Sequence, residues 1–196
     1  METFIYRIDA DDVIVSVSDN WDGFAAENAC EKNCRSESIV GHVIWDFIQD
    51  RETAYLYKAL FREVREGKSS RPISFRCDSP EARRFLKLTL RPRPDGQIEI
   101  RSRIEKIEDR APVSLLRKEV ARSEQFVRIC SMCKKVAAPR NTWVEIEEGI
   151  TRYKLFEKND LPRLTHGLCP DCHRTLLAEI DALKKNKNTG KSSRSS

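Results

Sequence analysis

Apolar and polar residues alternate most regularly between positions 73 and 104. Ile73 and Phe75 are separated by Ser74, and Leu86, Leu88 and Leu90 are interleaved with Lys87, Thr89 and Arg91. Ile98, Ile100 and Ile104 likewise share one side of their segment, with Glu99, Arg101 and Arg103 on the other. A period of two is that of a strand with one buried face, and Pro94-Asp95-Gly96 supplies the turn between the last two segments. Two shorter β-rich runs, residues 4–8 and 13–17, open the chain around the turn-forming Asp9-Ala10-Asp11-Asp12. Between these sets the period changes. Trp21, Phe24, Ala25 and Asn28 recur at helical spacing, and a short apolar element at 43–48 follows Gly41. Leu56, Leu60 and Val64 then form an i, i+4, i+8 stripe widened by Tyr57 and Phe61, with Asp50 as N-cap and Gly67 as stop signal. The pattern predicts an α+β region in the order two strands, short helices, one longer helix and three strands, the alternating strands forming an antiparallel sheet with one face buried and the other wet or covered by a partner.

Past residue 107 the signal is weaker. Pro112 starts a stretch, 113–128, in which Val113, Leu116, Val120 and Val127 fit a seven-residue repeat weakened at Ser123. A linker helix is expected over 108–128, packed on its own chain or pairing with a second copy as a homodimer. Leu176, Leu177, Ile180 and Leu183 mark one more amphipathic helix beginning near Cys172, and the Lys- and Ser-rich stretch 184–196 reads as a disordered tail.

Charge changes this picture only locally. The net charge is +5, and residues 184–196 alone contribute five basic and no acidic side chains. Residues 1–61 hold 5 basic and 12 acidic side chains, whereas 62–103 hold 12 basic and 6 acidic, so the chain is electrically polar. Such an arrangement orients docking or self-association, or is simply solvated charge. No apolar run is long enough for a bilayer, and the first residues lack the basic and apolar regions of a signal peptide. A cytoplasmic location is expected, with cysteines as thiols or thiolates.

Four of the seven cysteines fall into two Cys-x-x-Cys pairs, Cys130/Cys133 and Cys169/Cys172, with 35 residues between the pairs. Each pair brings two sulfurs together on a tight turn, and the intervening chain returns the second pair to the first. This is the requirement for tetrahedral coordination, and one structural zinc per chain is expected. Sulfur ligands also accept iron, so electron transfer stays open as an alternative. Lys134 and Lys135 offset the negative charge of the thiolates. His166 and His173 flank the second pair, either as a substitute ligand or hydrogen-bonded behind one.

Two segments carry a family resemblance. Asp19-Asn20-Trp21 with Phe24-Ala25, the run 39–48 (Ile-Val-Gly-His-Val-Ile-Trp-Asp-Phe-Ile) and the run 72–80 (Pro-Ile-Ser-Phe-Arg-Cys-Asp-Ser-Pro) resemble a PAS sensor domain over residues 1–107. The two cysteine pairs, with Trp143, Glu147 and Thr165-His166-Gly167-Leu168, resemble a metal-binding tail found after such domains in bacterial signalling proteins. The resemblance implies a sensor region (1–107) built as a five-stranded antiparallel sheet with short helices over one face, a linker helix (108–128) and a zinc-binding module (129–183) that acts on another signalling protein. It also implies a pocket whose small-molecule ligand is unidentified. Cys34 is out of register for the flavin-adduct cysteine of light-sensing members, and Cys30 and Cys34 read as two unconnected thiols. His42 has only its location to suggest haem. No phosphate loop, nucleophile elbow or His-Glu-x-x-His occurs, so an enzyme is not expected. The competing function is a nucleic-acid-binding transcriptional regulator using the zinc module and the basic tail. On length alone, residues 1–107 should fold without metal and the 55 residues of 129–183 should not.

Overall fold

The long alternating segments become the central strands of a sheet. In the computed structural model, which describes residues 2–27, 34–48, 50–117, 120–156 and 161–189, β4 (Ala82–Pro92) and β5 (Ile98–Asp109) pair along their whole length. β1 (Thr3–Ile8), β2 (Ile14–Val17) and β3 (Ile73–Arg76) complete an antiparallel sheet of order β2-β1-β5-β4-β3. Leu86, Leu88, Leu90, Ile98, Ile100 and Ile104 are all buried, as the alternation requires. Short helices α1 (Trp21–Glu27) and α2 (Ser36–Ile39), a 3-10 turn at Ile44–Phe47 and the longer α3 (Arg51–Arg65) follow β2. The Asp50 carboxylate accepts the Thr53 N–H at 2.8 Å, capping α3, and Gly67 leaves it at φ +94°, where a side chain would be strained. Leu56, Leu60, Phe61 and Val64 are essentially sealed from solvent in the cluster that also holds the sheet residues.

The helix expected over 113–128 does not form. Ser114–Leu116 is a single 3-10 turn, and Phe126–Cys130 is a strand, β6; residues 118 and 119 lie outside the described residues. The reason is local: Phe126 and Arg128 are exposed while Val127, Ile129 and Cys130 are buried, so the final residues follow a period of two. The heptad residues Val113, Leu116, Val120 and Val127 are nevertheless used. They pack within the chain against Ile129, Val136, Val144, Ile146 and Phe156, in a second buried cluster. The seam argued for a homodimer is therefore occupied intramolecularly.

β7 (Val136–Ala138), β8 (Thr142–Val144) and β9 (Arg163–Gly167) join β6 in a four-stranded sheet of order β8-β7-β6-β9, with β6 and β9 parallel. A short helix, α4 (Ile146–Thr151), follows β8, and the chain closes with α5 (Pro170–Thr189). The disordered tail expected from residue 184 is thus corrected as far as 189, since the helix continues through it; 190–196 lie outside the described residues. No helix among the described residues is long and apolar enough to cross a membrane.

The buried cluster of the first sheet does not stop at residue 107. Leu176, Ile180 and Leu183 of α5 are members of it, beside Leu56, Leu60 and Val64 of α3. Glu179, 4 % exposed, accepts from Arg71 through its backbone N–H and its Nε, both at 2.7 Å, and Lys68 Nζ donates to the Leu183 carbonyl at 2.7 Å. A partly buried ionic network adds a second seam: Arg76 pairs with Asp78 and Glu145, and Arg83 with Glu147.

Candidate metal centre

The four cysteines predicted as ligands arrive from two turns. β6 ends at Cys130, whose N–H donates to the Lys135 carbonyl and whose carbonyl accepts from Lys134. Lys134 closes this turn in the left-handed region at φ 61°. The second pair sits at the start of α5. Pro170 occupies the first helical position, where a missing N–H costs nothing, and the Cys169 carbonyl accepts the His173 N–H at 3.0 Å. The parallel register places Cys130 opposite Gly167, and the Ser131 N–H reaches the Gly167 carbonyl at 2.7 Å, so the two turns face each other.

The sulfurs of Cys130, Cys133, Cys169 and Cys172 all lie within 4.8 Å of one another, and those of Cys133 and Cys169 are 3.7 Å apart. Zinc–sulfur bonds of about 2.3 Å in a tetrahedron put neighbouring sulfurs about 3.8 Å apart, so the cage has the right size. Backbone donors support it: the Cys169 N–H points at the Cys130 sulfur and the Cys172 N–H at the Cys169 sulfur, each at 3.4 Å. Cys130 and Cys169 are buried, and the other two are half-buried.

The electrostatics fit a cation. Hydrogen bonds from Cys133 and Cys172 favour ionisation of Cys130, holding its thiol far below the ordinary value. The same contact with Cys130 pushes Cys133 up to about 12 and drives Cys172 higher still. Negative charge is therefore favoured on Cys130 and disfavoured on Cys133 and Cys172. A divalent ion in the centre would replace the protons and let all four act as thiolates. These residues could hold a metal ion, and the spacing is compatible with zinc.

Neither histidine beside the second pair joins the cluster. His173 lies 3.7 Å from Glu52, and His166 stands on β9, its imidazolium disfavoured by desolvation and then by nearby Lys134. His42 is exposed and stacks edge-on with Phe47. Cys77 is half-buried outside the cluster, and Cys34 is disulfide-bonded, against the reading of an unconnected thiol; Cys30 lies outside the described residues.

Aromatic side chains line a cavity of about 220 Å³ between sheet and helices, with Phe4, Tyr6, Trp21, Phe24, Tyr57 and Phe75 in its walls. Burial raises the pKa of both Tyr6 and Tyr57, so the phenols stay protonated donors. Tyr57 connects the cavity to the cysteines: its hydroxyl is 3.5 Å from the sulfur of Met132, inside the first Cys-x-x-Cys. The Arg76 N–H on β3 donates to the Met132 carbonyl at 2.7 Å. Sequence reasoning missed this junction. A buried Met between two cysteines was its one visible trace, because an exposed metal loop has no need of an apolar residue there.

No protein-family description fits this chain, and no curated protein matches it.

Proposed function

We propose that this chain is a non-catalytic, cytosolic signal-transduction protein, in which a PAS-like sensing region is coupled to a zinc-stabilised region that docks on another signalling protein. The sheet with helices over one face and the aromatic cavity beneath them support the PAS resemblance. Four sulfurs close the tetrahedron, so a bound zinc has no open position for substrate and its chemistry is structural. The observation that carries the reading is Tyr57. One side chain lines the cavity and touches the metal-binding turn, so a change in cavity occupancy has a short physical route to the C-terminal region.

A cavity-filling substitution tests the coupling without knowledge of any ligand. Ser102 lies in the cavity wall, and Ser102→Leu adds apolar volume there. Amide exchange should then change around 130–135 and 168–172 as well as at the walls. A response confined to the walls, with the cysteine turns unmoved, would remove the sensor reading. Elemental analysis should give about one zinc per chain in a colourless protein, and visible absorbance from a sulfur–iron centre would point to electron transfer instead.

A further inference from the structure

The face of the first sheet turned away from the helices carries an open groove of about 710 Å³. Four cations line it: Lys87 and Arg91 from β4, Arg101 and Arg103 from β5. Four hydroxyl side chains, Thr3, Ser69, Ser70 and Thr89, fill the spaces between them. We infer that this groove binds the phosphodiester backbone of a nucleic-acid duplex, without reading its bases.

The placement of the charges argues that an anion belongs there. Lys87 stands directly opposite Arg103 in the β4–β5 ladder, and like charges at facing positions destabilise a sheet unless something offsets them. The offset inside the chain is partial. Arg103 pairs with Glu105, but among the described residues Lys87 donates to the Ser74 hydroxyl, at 2.6 Å, and to no carboxylate. Arg91 is exposed and has no carboxylate partner among the described residues. The fixed acid of this face, Glu99, is fully buried and already shared by Arg7, Arg93 and Arg101. It holds the Arg101 guanidinium at the groove, and its own carboxylate is already taken up by the three arginines.

The chemistry of the lining selects the ligand class. Arginine, lysine, serine and threonine are the side chains that hydrogen-bond phosphate oxygens, and Arg does so as a planar fork. Protein interfaces are enriched in aromatic residues, Met and Arg and depleted in Lys and Ser; this groove shares the arginines with them but has no aromatic or Met among its lining residues. Single strands are held largely by bases stacked on aromatic rings, which the groove also lacks. What remains is a backbone contact with a duplex. This site uses neither the cysteine cluster nor the basic C-terminal stretch, and it does not rest on the signalling role proposed above.

The test is binding of a fluorescently labelled 20-base-pair DNA duplex to the full chain over a salt series. Lys87→Gln/Arg91→Gln, which removes the two cations without a carboxylate partner, should weaken binding about tenfold or more at low salt. It should also flatten the dependence of log K on log salt by about two. Thr89→Glu, facing Arg101, should do at least as much through a single side chain. Unaltered amide exchange in β4 and β5 would show that neither variant acts by unfolding. Neutralising the lysines of 184–196 should leave the groove-dependent component intact. The inference is overturned if the groove variants bind like wild type, if the single strand binds more tightly than the duplex, or if polyglutamate of equal charge competes as well as DNA.

Discussion

The two sheets are built on different terms. In the first, β4 and β5 have 11 and 12 residues, and every buried position in their central stretch is a Leu or Ile, apart from Glu99. Burial of that face alone can hold the strands together. In the second, the four strands have 3 to 5 residues, and β6 is anchored between a strand that pairs in parallel and a turn that begins at Cys130. Strands so short bury too little to offset the entropy of their own ordering, so the cysteine cluster has to supply the difference. Yet the clusters that seal the two regions are not separate. Cys130, Met132, Cys169 and Leu176 share a core with Leu56, Leu60 and Leu88. Length alone suggests two independent units, whereas packing turns the metal-binding region into a wall of the first core.

On the zinc reading proposed above, the largest effect should come from removing the metal. Structural zinc contributes on the order of 10 kcal/mol of apparent binding energy, comparable to the whole stability of a domain. Chelation, or the Cys130→Ser/Cys169→Ser pair, should abolish amide-exchange protection over 126–144 and 163–183. Because α5 packs on α3, protection around Leu56, Tyr57 and Leu60 should fall too, while β4 and β5 keep theirs. Full protection of α3 in metal-free protein would show that the shared core is energetically divisible after all.

Next in size are core truncations that separate packing from mere apolar character on α5. Ile180 is 2 % exposed and Leu177 is 39 % exposed. Ile180→Ala should cost about 2–5 kcal/mol in denaturant unfolding, and Leu177→Ala within about 0.5 kcal/mol. Equal costs would mean that α5 is not docked through the stripe seen here. Val120→Asp belongs with the first of these. Val120 packs against the second cluster, so the charge should destabilise β6 and its neighbours rather than split a dimer.

A smaller effect tests the polar latch between α5 and the segment before β3. Arg71→Ala removes one of two donors to the buried Glu179 carboxylate and leaves the backbone N–H in place. The loss should be about 1–3 kcal/mol, since the acid keeps some of its hydrogen bonding. Arg71→Lys should recover a fraction of it. No change in unfolding midpoint would show that solvent, not Arg71, satisfies Glu179.

How much of this was legible depended on how many residues voted together. Leu86, Leu88 and Leu90 against Lys87, Thr89 and Arg91 leave one reading, and Asp50 caps α3 where its side chain chemistry indicates. The cysteine spacing was equally decisive, because two short-range pairs need only one long-range closure. Residues 113–128 failed for the opposite reason. Four apolar residues at heptad spacing were too few to outweigh a strand of five residues whose place is fixed by pairing with β9, as between Arg128 and the distant Thr165. The junction through Met132 and Tyr57 was invisible because neither residue carries its partner's address; only the folded chain brings them together.

The smallest prediction concerns pH and returns to the first sheet's own means of support. Burial alone would raise the pKa of Glu99, but hydrogen bonds from Arg101, Arg93 and Arg7 outweigh it and lower the value from 4.5 to about 2. A carboxyl more acidic folded than unfolded contributes stability that is complete above the unfolded value near 4.5 and declines as pH falls through the folded value near 2. Wild-type stability should therefore decline between about pH 4.5 and pH 2 more steeply than that of Glu99→Gln, which carries no proton-linked charge at this position. The metal site complicates acid titration, since protons also compete for thiolates. Comparing the two proteins at each pH cancels that common contribution and isolates the carboxylate. If the difference between them is flat with pH, the three arginines hold Glu99 no more strongly than water does. The exposed face of the sheet would then owe its guanidinium positions to something other than this buried acid.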